Sequence, residues 1–98
     1  MYTNTQKIIR NIAKDIELPY DLFLQESSRL FLERKIKKIR IDILEIAGKY
    51  GVSTISEFEN LYRQGKIEES QTLDDYKRLD RLEYEKEKIE KLLQELKF

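Results

Sequence analysis

Residues 72–98 have the sequence TLDDYKRLDRLEYEKEKIEKLLQELKF, and this stretch decides the fold because it predicts one continuous helix. Thr72 is placed to act as its N-cap, since a threonine oxygen can accept a hydrogen bond from the first free N–H groups of a helix. Its apolar residues recur every seven positions: Leu82, Ile89 and Leu96. Such a stripe has to be buried against the rest of the chain or against a second chain.

A second long helix is predicted between Tyr20 and Tyr50, where no helix-breaking residue occurs before Gly48. Gly51 follows at the position where a helix C-terminus favours a left-handed residue. The apolar residues of this helix alternate between spacings of four and three, which is typical of a helix that packs lengthwise on another helix. These seam residues are Leu32, Ile36, Ile39, Ile43, Ile46 and Tyr50. At about 1.5 Å per residue the helix is about 45 Å long, more than a small compact domain needs. We therefore expect either a core seam or a dimer seam.

Two short helices complete the predicted architecture. The first is amphipathic, with its apolar residues within 8–16 and with Thr3 or Thr5 as its candidate N-cap. It ends before Pro19, because the residue before a proline is forced away from helical dihedral angles. The second begins at Thr54 and Glu57, which have the spacing of a capping box, and Gly65 ends it. The expected fold is all-α: a single helical domain over residues 1–98, with a long central helix, a C-terminal helix folding back antiparallel, short flanking helices and a helical-bundle dimer.

The composition of the 98 residues argues against several function classes. Charged residues make up 39% of the chain and cancel to zero, so the excess of positive charge common in dedicated nucleic-acid binders is absent. There is no histidine and no cysteine, so we expect no catalytic residue, no metal and no cofactor. No long apolar run or signal-peptide pattern occurs, which predicts a cytoplasmic protein without a membrane contact. The abundance of Lys, Glu and Ile is compatible with an archaeal or thermophilic protein.

The central helix carries five cations within seven positions: Arg34, Lys35, Lys37, Lys38 and Arg40. A basic stripe of this kind can meet phosphates, which makes it the candidate nucleic-acid-binding site. The alternative is a solubilising surface with helical ion pairs to Glu33, Asp42 and Glu45. Residues 1–50 hold ten basic and seven acidic side chains (+3), and residues 51–98 hold nine and twelve (−3). This asymmetry predicts two halves that contact different partners or each other.

Two tyrosines stand out in the first half of the final helix. Tyr76 and Tyr84 are eight residues apart, about two turns, so they project in similar directions. Tyrosine is enriched at binding hot spots because its ring buries a large area while its hydroxyl stays hydrated. Both rings are equally compatible with the chain's own core, since a small chain has few aromatic residues to fill it.

Residues 5–36, TQKIIRNIAKDIELPYDLFLQESSRLFLERKI, resemble the helix pair of ribbon-helix-helix proteins. The stretch has a short amphipathic helix, a tight turn and a second helix that continues into RLFLER. The resemblance implies an intertwined dimer and the DNA-binding half of an antitoxin, so residues 1–50 are the expected dimerisation and DNA-contact half. Only residues 1–4 precede the first helix, where that family has a DNA-reading strand, and no base-contacting residue is carried over.

The remaining stretches, KYGVSTISEFENLYRQGKIEES and DDYKRLDRLEYEKEKIEKLLQEL, are similar to small helical proteins of archaea and cyanobacteria. These are the antitoxin side of toxin–antitoxin pairs, including pairs with TumE-like toxins. The resemblance implies that the acidic half, residues 51–98, holds a toxin-like partner. The residues it assigns to partner binding are Asp75, Tyr76, Leu79, Asp80, Leu82, Glu83 and Tyr84.

Together these patterns predict a non-enzymatic protein-interaction module that forms a homodimer. Its expected role is that of an antitoxin-like protein, which neutralises a basic partner through the C-terminal helix while acidic side chains steer the encounter. One alternative is a DNA-binding transcriptional autoregulator that uses the basic stripe at 34–40. The other is a structural helical homo-oligomer.

Overall fold

The computed structural model describes residues 3–96, which form four helices and no strand. The helices are α1 (Asn4–Asp15), α2 (Tyr20–Tyr50), α3 (Ile55–Arg63) and α4 (Glu69–Glu95). The all-α prediction is confirmed, with its long central helix and a final helix that packs back along it. The end of the predicted final helix, Lys97 and Phe98, lies outside the described residues.

The central helix α2 is continuous from Tyr20 to Tyr50. Pro19 stands directly before its first residue, and the Pro19 carbonyl accepts a hydrogen bond from the N–H of Phe23 at 2.9 Å. Gly51 ends the helix in the left-handed conformation, with φ at 66°, as its position after Tyr50 predicts. Side chains disfavour this φ, which is why glycine is common at helix ends.

The short helices begin at threonine caps. Thr3 caps α1 in a reciprocal capping box with Gln6. Thr54 caps α3 by accepting a hydrogen bond from the N–H of Glu57 at 3.2 Å. The Glu57 carboxylate accepts from the N–H of Ser53 at 2.8 Å, so only the threonine side of the predicted box is present.

Helices α2 and α4 lie antiparallel. At one end, the hydroxyl of Tyr50 donates a hydrogen bond to the Asp75 carboxylate. At the other end, the side chains of Gln25 and Arg29 donate to the carbonyl of Leu96 at 3.0 and 3.1 Å. The Arg29 guanidinium also places positive charge at the C-terminal end of α4, where the helix dipole favours it.

The hydrophobic core lies between the inner side of α2, α3 and α4. Ile36, Ile39, Ile43 and Ile46 of the predicted seam are buried there, and Leu32 and Tyr50 pack against them. The other buried members of the core are Phe58, Leu79, Leu82 and Ile89. The seam is therefore a core seam within one chain. It covers the apolar stripe of α4, which the sequence predicts to be buried against this chain or a second one. We call these six α2 residues the inner seam.

The predicted start of the final helix is wrong. α4 begins at Glu69, and its N-cap, Glu68, makes no side-chain cap. Thr72 lies one turn inside the helix, where its hydroxyl donates to the Glu68 carbonyl at 2.8 Å. Since this uses the only proton of that hydroxyl, Tyr62 must be the donor in its 2.6 Å hydrogen bond with Thr72. Thr72 thus ties α3 to α4 instead of opening α4.

The molecule is elongated. Its radius of gyration is 19.6 Å, compared with about 13 Å for a compact domain of this length. It measures 60 × 28 × 20 Å, and the 31 residues of α2 account for most of the length. α1 stands outside the core, because its buried residue, Ala13, is not a member of the core cluster. Among residues 3–96 no helix combines the length and the apolar character needed to cross a membrane.

Candidate interaction surfaces

The partner-binding residues predicted on α4 do not form one exposed surface. Leu79 is 0% exposed and Leu82 is 8% exposed, and both belong to the core. Their regular spacing fits the inner seam of α2, so the two helices bury each other's apolar residues. A partner could reach these leucines only if α4 separated from α2.

Tyr76 belongs to a cluster of four rings at the α3 end of the core. Phe58 is wholly buried at its centre, and the ring centroids of Tyr50, Tyr62 and Tyr76 lie 4.5, 5.4 and 5.7 Å from its own. Tilted and edge-on rings at these distances stabilise the core beyond the area they bury. The Tyr76 hydroxyl donates to Glu59 at 2.6 Å, and this hydrogen bond together with burial raises the pKa of Tyr76 to about 12. Of the two interpretations of this tyrosine, the structure favours the core.

Asp75 is likewise engaged within the chain. It accepts a short hydrogen bond of 2.5 Å from the Tyr50 hydroxyl, and this bond lowers the pKa of the Asp75 carboxyl. Burial and the same hydrogen bond raise the pKa of Tyr50 to about 12. The Lys49 ammonium lies 3.5 Å from the same carboxylate. The negative charge of Asp75, which was predicted to steer a partner, is therefore balanced by Lys49 of the same chain.

The last three predicted residues differ in position. Glu83 accepts a hydrogen bond from the N–H of Ile55 at 3.3 Å, and so satisfies a free donor at the start of α3. Asp80 and Tyr84 are exposed on α4, with Tyr84 exposed to 69%. The surface that α4 offers to a partner is thus reduced to two of the seven predicted residues.

The five cations of the predicted basic stripe divide into paired and unpaired side chains. Lys38 binds Asp42 at 2.9 Å, and this hydrogen bond raises the pKa of Lys38. Arg40 binds Glu90 of α4 at 3.6 Å, which links the basic half of the chain to the acidic half. The remaining three are exposed and make no ion pair with any residue in the range 3–96: Arg34, Lys35 and Lys37.

Sequence reasoning did not identify the exposed apolar side of α1 as a site. Its members are Ile8 and Ile12 together with Ile16, the C-cap residue directly after α1, and they are 58, 43 and 52% exposed. Their spacing of four residues places them on one side of the helix, and we call them the α1 stripe. Buried Ala13, with the Arg10 guanidinium 4.0 Å from the centroid of the Tyr20 ring, holds α1 against the beginning of α2. The signal that could have identified the stripe was an amphipathic helix without a matching seam.

A second exposed row runs along α2. Its members are spaced four, three, four and three apart: Leu30, Arg34, Lys37, Ile41 and Leu44. Each of them precedes a residue of the inner seam by two positions, which is about 200° around an α-helix. The row therefore faces away from α4, and its apolar members are 64, 45 and 71% exposed. We call it the outer stripe.

Among residues 3–96 no three acidic side chains lie close enough together to hold a metal ion. Every buried side-chain nitrogen or oxygen atom of the same residues has a hydrogen-bond partner.

Comparison with known proteins gives one family. The model of the Uncharacterized protein MJ0235 family matches residues 1–98, and the chain belongs to this family. No curated protein and no solved structure matches the chain.

Proposed function

We propose that this protein is a non-enzymatic interaction module that forms a homodimer through the α1 stripe. The observation that carries the proposal is the half-exposed row of Ile8, Ile12 and Ile16 on a helix outside the core. Removing apolar surface from water contributes about 25 cal/mol per Å², so a second apolar surface laid on this row is stabilising. The absence of histidine and cysteine from the sequence supports a role without catalysis.

A second copy of the chain is the occupant that fits the α1 stripe. A two-fold interface brings the same patch together from both subunits, so that patch must be self-complementary. The stripe meets this condition because its isoleucines carry no charge. The cations of α1 lie at least about 140° from the middle of the stripe, counted at about 100° per residue: Lys7, Arg10 and Lys14.

The length of α1 supports the same occupant. It has 12 residues, and isolated helices of this length are marginal in water. Since α1 buries only Ala13 on α2, further cover from a second copy would stabilise it considerably.

The antitoxin-like role rests on the sequence resemblance. Of the seven residues predicted to bind a toxin-like protein, Asp80 and Tyr84 are exposed on α4. The chain itself engages the other five. We therefore place the main interaction surface of this module at its amino-terminal end.

DNA binding is a second candidate function, favoured by one observation. Arg34, Lys35 and Lys37 are exposed and have no ion pair within residues 3–96. This candidate predicts that duplex DNA binds and that its affinity falls steeply as salt rises.

Sedimentation velocity of the purified full chain over a range of concentrations tests the proposed dimer. We expect a dimer for the natural sequence and a monomer for the triple variant Ile8→Gln, Ile12→Gln, Ile16→Gln. Glutamine removes the apolar surface while keeping a good helix propensity, so the fold should persist and circular dichroism should show it.

A matched control carries three changes on the remaining surface of α1: Lys7→Gln, Asn11→Gln and Lys14→Gln. These positions are also exposed, and the control should remain a dimer. A natural chain that stays monomeric at every concentration contradicts the proposal. Dimerisation of the isoleucine variant that is as strong as that of the natural chain also contradicts the proposal.

A further inference from the structure

We infer that the outer stripe of α2 binds an amphipathic helix of a different protein, one that carries carboxylates opposite Arg34 and Lys37. The α1 stripe takes no part in this inference, which therefore stands or falls separately from the proposed dimer.

The outer stripe has the geometry of one half of a helix pair. Its alternation of four and three residues is the repeat on which side chains of two helices interlock. It runs from Leu30 to Leu44, so it presents about 21 Å of helix. Because the inner seam packs α2 against α4 on the opposite side, this surface is already folded before a partner arrives. Binding there incurs little ordering cost.

The cations at the centre of the stripe disfavour a second copy as the occupant. In a parallel pairing of two outer stripes, Arg34 and Lys37 would each face the same residue of the other chain. In an antiparallel pairing centred on the middle of the stripe, Lys37 would face Lys37 of the other chain. Like charges held across an interface are destabilising and act against the wrong partner.

The chain itself does not neutralise these two cations. Neither Arg34 nor Lys37 makes an ion pair within residues 3–96. Glu33 lies one turn before Lys37, where a helical pair is possible, and yet it makes none. Both charges are available to a carboxylate from outside, and the guanidinium can bind one through two parallel hydrogen bonds.

The apolar residues at the two ends of the stripe favour a protein helix over phosphates. Leu30 is 64% exposed and Leu44 is 71% exposed. A nucleic-acid backbone would meet Arg34 and Lys37 but would leave these leucines without an apolar contact. A helix with apolar ends and an acidic middle would satisfy both kinds of residue, so it complements the whole stripe.

Two labelled synthetic helices provide the probe. Each has about 18 residues, about 27 Å when helical, with leucine at the outer positions of the packing face. One peptide has glutamate at the two central positions of that face, and the other has lysine. We expect fluorescence anisotropy to show that the full chain binds the glutamate peptide at least about tenfold more tightly than the lysine peptide.

Charge reversal gives the decisive comparison. The variant Arg34→Glu, Lys37→Glu should prefer the lysine peptide, because the sign of the central contact is inverted. Both positions are exposed, so we expect the fold to persist, and circular dichroism checks this. The neutral variant Arg34→Gln, Lys37→Gln should bind the two peptides with affinities within about threefold of each other.

Three outcomes would overturn the inference: equal or absent binding of the two peptides by the natural chain, a preference that charge reversal leaves unchanged, and displacement of the glutamate peptide by mixed-sequence duplex DNA. The variant Ile8→Gln, Ile12→Gln, Ile16→Gln should bind the glutamate peptide with unchanged affinity. Loss of the dimer in that variant then tests the α1 stripe alone, and loss of peptide binding in the charge variants tests the outer stripe alone.

Discussion

The two sides of α2 have the same spacing and opposite environments. The inner seam repeats at four and three residues, contains only apolar or aromatic side chains, and is covered by α3 and α4. The outer stripe repeats in the same way but has Arg34 and Lys37 at its centre, and it faces solvent. Burying an unpaired charge costs several kcal/mol, so the chain folds on the side that carries none. Periodicity thus marks both sides as packing surfaces, and charge at the centre decides which one the chain covers.

The largest effect should come from placing a cation in the inner seam. Ile39 is 4% exposed and Ile41 is 45% exposed, although they are two positions apart on one helix. We expect Ile39→Lys to lower the free energy of unfolding by more than about 4 kcal/mol, because it buries an unpaired charge in the core.

The matched control is Ile41→Lys, which should change the free energy of unfolding by no more than about 0.5 kcal/mol. Urea denaturation followed by circular dichroism measures both variants. Similar losses in the two variants would remove the distinction between the inner seam and the outer stripe.

A smaller effect is expected from the hydroxyl of Tyr50, at the end of the inner seam. The pKa of Tyr50 is raised from 10.0 to about 12. Because the folded state holds this proton more tightly than the unfolded state, the stabilisation is complete below about pH 10 and is lost as the pH rises to about 12. Tyr76, with its pKa also raised to about 12, contributes in the same window.

Denaturation across this pH range tests the prediction. Tyr50→Phe should cost about 1 kcal/mol at neutral pH and should make the alkaline loss of stability smaller. Adding Tyr76→Phe should reduce that loss further. Tyr84→Phe is the control, since this ring is 69% exposed, and it should leave the alkaline loss as it is. An unchanged alkaline loss in the Tyr50 and Tyr76 variants would contradict the assignment.

The smallest effect on stability should come from making the outer stripe resemble the inner seam. Arg34→Leu with Lys37→Leu should change the free energy of unfolding by no more than about 0.5 kcal/mol per site, because both positions are exposed. The stripe then becomes apolar throughout and self-complementary, so we expect new self-association.

Sedimentation is best measured in a chain that also carries Ile8→Gln, Ile12→Gln and Ile16→Gln, so that the α1 stripe cannot contribute. Lys77→Leu with Arg81→Leu adds two leucines to exposed positions of α4 and serves as the control, which should stay monomeric. If the Arg34 and Lys37 changes also leave the chain monomeric, the two central cations are not what prevents self-pairing.

Local sequence patterns predicted the helices, and they predicted a helix end well where the residues that form it lie within one turn of each other. Thr3 and Gln6, three residues apart, form the cap of α1, and Gly51 ends α2 as expected. Thr72 fails as a predicted cap because its hydroxyl bonds Tyr62, ten residues away, as well as the carbonyl of Glu68. A capping rule that considers only neighbouring residues cannot include such a contact.

The candidate site shows the same limit. The side chains of Tyr76 and Asp75 are of the kind that bind a partner. In this chain they form hydrogen bonds with Glu59 and Tyr50 instead. The five cations of the basic stripe at 34–40 were visible in the sequence, but which of them would pair was not. Arg40 finds Glu90 only because α4 returns along α2.

The sequence by itself determined that α2 and α4 are long helices and that the inner seam is a packing surface, because helical periodicity is a property of residues a few positions apart. Only the tertiary structure decided that one chain covers this seam, that Leu79 and Leu82 are buried in it, and that the α1 stripe and the outer stripe stay exposed. Burial depends on contacts between residues far apart in the chain, and a local pattern cannot predict which surfaces will pack against each other.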